Sequence, residues 1–209
     1  MVYFSKKIKC MITQAFEKPK VRSRKIPTKF IREEVNGKPY YYKGYKSVMN
    51  GTKQIEEIMG SSSLQSFLVG FIYGVLFSKI NRKKYLLTTN ETGLHLGNNN
   101  NLSTDIGIFL KENVVLNDKY FEIAPEIAIE VDVKIDTNDI EYVFSKSAEM
   151  MNFGTQKILW VLTKHKKIML FSKNETTQVL DWENDIYLME GVVLNIQKLI
   201  EEEGINAMF

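Results

Sequence analysis

The fold is decided by residues 124–134, which read Ala124-Pro125-Glu126-Ile127-Ala128-Ile129-Glu130-Val131-Asp132-Val133-Lys134. Apolar, mostly β-branched side chains recur at every second position from Ile127 onwards, a pattern typical of a β-strand. Glu130 lies on the strand face opposite these side chains. Because an ionised carboxylate on a central strand is costly unless it is paired, the pattern predicts a partner for Glu130, and a metal ion is one candidate.

Charge divides the chain into two parts. The protein has 209 residues, of which 44% are hydrophobic, and this is enough for one domain with a sizeable core. The net charge of +3 is uneven, because residues 1–32 contain ten Lys or Arg and a single acid, Glu17. We expect a basic N-terminal arm over residues 1–30 and one domain over residues 31–209. The arm is either a contact for an anionic partner or a solvated, disordered leader.

Composition also excludes several classes of protein. The single cysteine, Cys10, rules out an intramolecular disulfide and a Cys-rich zinc site. The longest strongly apolar run, Phe67 to Phe77, is shorter than the roughly 20 residues that a membrane-spanning helix needs. The N-terminus lacks the pattern of a secretory signal. We therefore expect a cytoplasmic protein that does not associate with membranes.

Periodicity and turn signals predict an α/β fold with a central mixed β-sheet flanked by helices. Asn36-Gly37 between two strand-like runs predicts a tight hairpin. Residues 52–80 have the apolar spacing of a helix, with serines at 61–63 as N-cap candidates. A second helix is predicted over residues 140–153, ended by Gly154. The further predicted strands are residues 85–89, 93–96, 105–110, 124–134, 157–162, 167–172 and 178–182, and a closing helix is predicted over residues 193–203.

Three residues with complementary chemistry follow one another in this plan. Asp105 begins a predicted strand, Glu130 lies in the next strand, and Lys146 lies on the following helix. Two carboxylates on adjacent strands can converge on Mg²⁺, which prefers oxygen ligands. The ion lowers the pKa of a bound water, and a nearby lysine neutralises charge on a phosphoryl group. The arrangement predicts phosphodiester hydrolysis.

Five motifs extend this pattern between Ile31 and Ile200, and together they resemble a known family. They are Glu33 four residues before Gly37, Thr104-Asp105, the Pro-x-x-x-x-Glu-Val strand from Pro125 to Val131, Lys146 eight residues before Gly154, and the aromatic strand Ile158-Leu159-Trp160-Val161. In this order they resemble the Uma-type restriction endonucleases, a prokaryotic branch of the PD-(D/E)XK nuclease superfamily. The family carries Pro-Asp where this chain has Thr104-Asp105.

The resemblance implies a restriction-endonuclease-like core and a metal-dependent endonuclease, a hydrolase that cleaves DNA. Asp105 and Glu130 would bind Mg²⁺ or Mn²⁺, Glu33 would be a further ligand, and Lys146 would assist the attacking water. DNA is the implied partner, and the basic arm would contact its phosphates. A homodimer is compatible with this activity, because two strands require two cuts.

The lysine of the site has two candidates. A simple Glu-x-Lys motif would place lysine at position 132, where this chain has Asp132. Lys134 points to the same strand face as Glu130 by alternation, whereas Lys146 enters from the following helix, which carries the lysine in the family that the chain resembles. We favour Lys146 as the catalytic lysine and keep Lys134 as the second candidate. Asp132 is either a third metal ligand or a charge that spoils the site.

Each residue also has a purely structural interpretation. Asp105 could cap the start of a strand, Glu130 could form a plain salt bridge with Lys146, and Glu33 could lie on a solvated hairpin face. A second hypothesis for the whole chain is therefore a catalytically inactive nuclease fold that binds DNA or protein. A third is a structural role in oligomer assembly.

Overall fold

An eight-stranded mixed β-sheet forms the centre of the protein. The structure is a computed structural model that describes residues 25–98, 100–133, 135 and 139–204, so most of the predicted basic arm lies outside the described residues. The strands of this sheet are β1 (Ile31–Val35), β2 (Lys38–Tyr41), β3 (Tyr85–Gly97), β4 (Asn100–Leu110), β5 (Ile127–Asp132), β6 (Lys157–Leu162), β7 (Lys167–Ser172) and β8 (Gln178–Asp181).

The strands lie in the order β2-β1-β4-β5-β6-β7-β8, with β3 paired to β4. One edge of β4 pairs with β3, and the opposite edge pairs first with β1 and then with β5. The β5–β6 pair is parallel, whereas the other pairs of this sheet are antiparallel. A separate hairpin is formed by β9 (Ile186–Met189) and β10 (Val192–Leu194).

Helices cover both faces of the sheet, which confirms the predicted fold class. The helices are α1 (Tyr45–Met49), α2 (Glu56–Met59), α3 (Ser63–Lys79), α4 (Ile140–Phe153) and α5 (Ile196–Glu202), with short 3₁₀ helices at Thr28–Phe30 and Lys111–Asn113. Helix α4 makes the crossover between the parallel strands β5 and β6, a connection that parallel pairing requires.

Strand β5 is buried at all six positions and serves two hydrophobic cores. Ile127, Ile129 and Val131 face the core that contains α3, together with Leu68 and its neighbours on that helix. The alternate residue Ala128 faces the core that contains α4. A strand covered on both faces reads as a nearly continuous apolar run, so an acidic residue within it is conspicuous.

The predicted turn and cap residues have the conformations expected of them. Asn36 and Gly37 both have positive φ, 54° and 73°, as the first hairpin requires. The Ser62 side chain accepts a hydrogen bond from the backbone N–H of Gln65 and caps α3. Gly154 follows α4 with φ 134°.

Several boundaries differ from the predictions. The helix predicted over residues 52–80 is interrupted at residues 60–62 and forms α2 and α3. Strands predicted over 85–89 and 93–96 are one strand, β3, with a bulge at Asn90 and Glu91, which both have positive φ. Asp105 lies inside β4 and not at its start, because the polar residues Asn100 and Asn101 already pair with β3.

By length and composition, the segment Glu56–Lys79 is apolar enough to cross a membrane, with a hydropathy of 1.3, and it is the one such segment in the described part of the chain. Core helices of soluble proteins have the same property. Here Leu68, Ile72 and Leu76 of this segment pack into the core against the sheet. The expectation that the protein does not associate with membranes stays a prediction.

Candidate active site

Strands β4 and β5 bring Asp105 and Glu130 together. Ile106 pairs with Ile129, and continuing this antiparallel register by one residue sets Asp105 opposite Glu130. Both acids therefore lie on the face that α4 covers, since the neighbouring isoleucines point into the core beneath α3. Asp105 Oδ2 accepts a hydrogen bond of 2.7 Å from the backbone N–H of Val131, which fixes the carboxylate against β5.

Thr104 occupies the position at which the resembled family has proline. Its side chain is fully buried, and its hydroxyl donates to the carbonyl of Ile129 at 3.2 Å. The hydroxyl therefore joins β4 to β5 one residue before Asp105. Thr104 therefore helps to fix the strand that carries Asp105.

Helix α4 places Lys146 between two carboxylates. Lys146 Nζ lies 3.2 Å from Glu130 Oε1 and 3.2 Å from Glu33 Oε2, and its side chain is 1% exposed. Tyr142, one helical turn earlier, donates its hydroxyl to Glu33 Oε2 at 2.5 Å and accepts from Lys146 Nζ at 3.2 Å. The four side chains form one buried network that joins β1, β5 and α4.

Glu33 is a buried member of this network. It is 8% exposed, and its Oε1 accepts a hydrogen bond of 2.6 Å from the backbone N–H of Ser103. The interpretation of Glu33 as a residue on a solvated hairpin face is therefore wrong. Because both of its oxygens already have partners, the carboxylate is held in one orientation beside Lys146.

Burial and neighbouring charges shift the acid–base behaviour of the site. Burial raises the pKa of Asp105 to about 6, although the N–H of Val131 opposes the rise. Burial also raises the pKa of Glu130 to about 8, where Lys146 opposes the rise and Asp105 adds to it. Burial alone would lower the pKa of Lys146, but Glu130 and Glu33 beside it raise that pKa well above its usual value. Lys146 thus stays protonated, whereas Asp105 and Glu130 ionise at a higher pH than ordinary carboxylic acids do.

One oxygen of Glu130 lacks a hydrogen bond from the described residues. Glu130 is 3% exposed, and its buried Oε1 lies near Lys146 Nζ but outside hydrogen-bonding geometry. A buried carboxylate oxygen without a hydrogen bond lowers the stability of the folded protein. A cation beside Asp105 and Glu130 would remove that cost, so the donor set fits a hard divalent metal.

The described residues supply two carboxylates for such an ion. No group of three or more His, Cys, Asp or Glu side chains that could hold a metal occurs among residues 25–98, 100–133, 135 and 139–204. Mg²⁺ is commonly bound by one or two carboxylates and completes its coordination with water and substrate oxygens. Asp105 and Glu130 therefore match the ligand set of Mg²⁺ better than that of a metal enclosed by protein.

Asp132 has a partner of its own. Both of its oxygens lie 2.8 Å from Lys43 Nζ, and the N–H of Val133 donates to it at 2.7 Å. Asp132 stands where a simple Glu-x-Lys motif has lysine, and the ion pair with Lys43 neutralises its negative charge. The second lysine candidate, Lys134, lies outside the described residues, so its role stays a prediction.

The sequence did not point to Tyr142, Lys43 or Arg32 as parts of the site. Tyr142 precedes Lys146 by four residues, the spacing of neighbours on one helix face, and this signal could have revealed it. Arg32 had no such signal in the sequence, because its orientation depends on a register irregularity of β1 between Ile31 and Glu33. A bulge can turn adjacent residues to one side of a strand, and no sequence pattern indicates this bulge.

Comparisons with known proteins support the architecture. No protein-family model matches the sequence, and no curated protein matches it either. Among solved structures, the fold is similar to the crystal structure of “a putative nuclease belonging to DUF820” from Anabaena variabilis ATCC 29413. The TM-score is 0.57 at 17% sequence identity, and the match covers 81% of this chain and 89% of that chain. At this identity the likeness shows a shared fold.

Proposed function

We propose that the protein is a divalent-metal-dependent nuclease of the PD-(D/E)XK type, similar to the Uma-type enzymes, and that it hydrolyses DNA phosphodiester bonds. One observation carries the proposal: Asp105 and Glu130 lie opposite each other on one face of the sheet, with Lys146 Nζ 3.2 Å from Glu130. The fold shared with a protein described as a “putative nuclease” supports the same function.

Each residue of the site has a proposed task. Asp105 and Glu130 would hold Mg²⁺ or Mn²⁺, which supplies a Lewis acid for the phosphoryl group and lowers the pKa of a water. Protonated Lys146 places positive charge where negative charge develops on the phosphate. In the reaction a water oxygen bonds to phosphorus and the water loses a proton to the solvent, while the bond from phosphorus to the leaving sugar oxygen breaks and that oxygen takes up a proton.

Glu33 and Tyr142 are proposed as positioning residues. Both oxygens of Glu33 are already engaged, one by Ser103 and the other by Tyr142 and Lys146. This arrangement favours a role in holding Lys146 over the metal-ligand role that the family resemblance implies for Glu33. Tyr142 bonds to both groups and fixes the distance between them.

A second candidate function rests on the same lysine. Lys146 is 1% exposed and lies 3.2 Å from each of two carboxylates, an arrangement that is also typical of a structural ion network. This observation favours a nuclease fold that binds DNA or protein without cleaving it. Such a module would bind DNA without a requirement for Asp105 or Glu130.

The test is cleavage of supercoiled plasmid DNA by the purified protein in Mg²⁺ or Mn²⁺, followed as nicked and linear DNA on a gel. Wild-type protein should cleave, and EDTA should stop the reaction. Glu130→Ala and Asp105→Asn, purified in parallel, should lose cleavage. Glu175→Gln, at an exposed turn after β7, is the matched control and should cleave like the wild type.

Two results would contradict the proposal. Cleavage that persists in Glu130→Ala would show that the activity belongs to another site or to a contaminant. If the wild type shifts DNA in a gel but does not cleave it with any divalent ion tested, the binding module is the better account.

A further inference from the structure

Arg32 lies beside the candidate active site although it belongs to neither the metal ligands nor the lysine network. The irregularity of β1 at this residue turns Arg32 to the same side as Glu33. Its guanidinium carbon lies 5.7 Å from the centre of the Tyr142 ring, the ring whose hydroxyl bonds Glu33. The ring attracts the cation and favours this position of the guanidinium.

The edge of this guanidinium has no protein partner in the described part of the chain, where Arg32 forms neither a hydrogen bond nor an ion pair within 4.0 Å. An arginine has five N–H donors in a planar fork. Two of the nearby acids have partners already, because Glu33 bonds Ser103 and Tyr142, and Asp132 bonds Lys43. Arg32 therefore offers unused donors next to the site.

These donors line a groove. A cavity of about 360 Å³ is bounded by Arg32, Glu33, Asn101, Ser103 and Tyr120, with its remaining walls from Glu34 and Leu102. The Tyr120 ring is 56% exposed and lies so close to Gly93 that a Cβ there would come within 2.8 Å of it. A free guanidinium and an exposed aromatic ring on one groove are features of surfaces that bind nucleic acid strands.

The electrostatic field connects this groove to the candidate metal ligands. The charge of Arg32 acts on the carboxylates of both Asp105 and Glu130 and favours their ionised forms. An anion bound at Arg32 would lie in the groove that Glu33 also lines, and Glu33 is a residue that contacts Lys146. Phosphate oxygens match the planar fork of arginine in bidentate geometry.

We propose that Arg32 binds a phosphate of the substrate strand in this groove, next to the phosphate that is cleaved, and that Tyr120 contacts the adjoining nucleoside. This inference rests on the proposed nuclease function and names the residue that holds the strand. Arg32 touches substrate in this account and contributes to binding, whereas Lys146 contributes to the chemical step.

The experiment measures binding of a short fluorescein-labelled DNA duplex by anisotropy over a range of KCl concentrations, with Ca²⁺ in place of Mg²⁺. Arg32→Gln should weaken binding about tenfold and reduce the salt slope by about one. Arg32→Lys retains the charge but not the fork, so it should keep the slope and lose part of the affinity.

Arg82→Gln is the matched control. Arg82 also lies over an aromatic ring, 4.6 Å from the centre of Phe77, but it follows the far end of α3 and lines neither the groove nor the site. Its substitution should leave affinity and slope unchanged. Equal binding by wild type and Arg32→Gln would overturn the inference and leave the nuclease proposal standing.

A second readout separates failure of the inference from failure of the nuclease proposal. Inorganic phosphate should raise the melting temperature of the wild type relative to KCl of equal ionic strength, and Arg32→Gln should lose this rise. If DNA does not bind but the Arg32-dependent rise is present, the phosphate site stands and the DNA substrate is wrong. If the protein shows neither DNA binding nor the phosphate-dependent rise in melting temperature, both the phosphate site and the DNA substrate are wrong.

Discussion

Lys146 offsets part of the cost of burying the Glu130 carboxylate in β5, although burial still raises the pKa of Glu130 to about 8. Lys146 approaches it from α4, while Glu33 and Tyr142 hold the lysine from the other side. Buried ion pairs seldom add stability, since desolvation offsets their attraction. A network of this kind is more readily explained by the chemistry that it positions than by a contribution to folding.

The pH dependence of stability follows from the raised pKa of Glu130. Because that pKa is raised from 4.5 to about 8, the folded state binds the proton more tightly than the unfolded state does. The contribution of Glu130 to stability is therefore fully present below about pH 4.5 and is lost as pH rises through about 8. Glu130→Gln removes this loss, so in EDTA its stability relative to the wild type should increase across that window by at least about 1 kcal/mol.

Urea unfolding of both proteins at about pH 5 and about pH 9 measures this change. Asp105 is present in both proteins, so the part of its contribution that does not depend on Glu130 cancels between them. Glu175→Gln serves as the control for the loss of an exposed carboxylate. A Glu130→Gln protein that is less stable than the wild type by the same amount at both pH values would contradict the raised pKa.

At the scale of elements, two glycines differ in how well their positions would accept a side chain. Gly154 ends α4 with φ 134°, and a Cβ there would lie 3.1 Å from Ala124. Gly70 lies inside α3, where an added Cβ would meet nothing within 4 Å. Substitution by alanine should therefore have opposite effects on stability at the two positions.

Gly154→Ala should destabilise the protein by about 1–3 kcal/mol, because alanine is strained at positive φ. Gly70→Ala should stabilise it by about 0.5–1 kcal/mol, because glycine is a poor residue in a helix interior. Thermal or urea unfolding of the two variants measures both changes. Destabilisation of similar size at both positions would mean that the exposed side of α3 is covered by another element or a partner.

Elements with strong local signals could be predicted closely from the sequence. Helix α4 and strands β6 and β7 have the predicted bounds, because each combines a clear periodicity with a glycine or polar turn beside it. The bulge of β3 was missed, since Asn90 and Glu91 read as a turn between two strands. The β9–β10 hairpin was also missed, because each of its strands is only three or four residues long.

At the scale of the whole molecule, the candidate site joins segments that are far apart in the chain. The pairing of β4 with β5 and the crossover through α4 could be expected from the order of elements, so the proximity of Asp105, Glu130 and Lys146 was predictable. The approach of Lys43 to Asp132 was not, because it depends on a loop after β2. The orientation of Arg32 depends on a local bulge and was equally hidden.

The central claim is that Asp105 and Glu130 form one divalent metal site. Measuring Mn²⁺ binding by electron paramagnetic resonance tests this claim independently of any nuclease activity. Titration of the wild-type protein should remove free Mn²⁺ signal with saturation, and Mg²⁺ should compete. Glu130→Gln and Asp105→Asn should each abolish the binding, while Glu175→Gln should not. Absence of binding to the wild type, or equal binding by wild type and Glu130→Gln, would contradict the account.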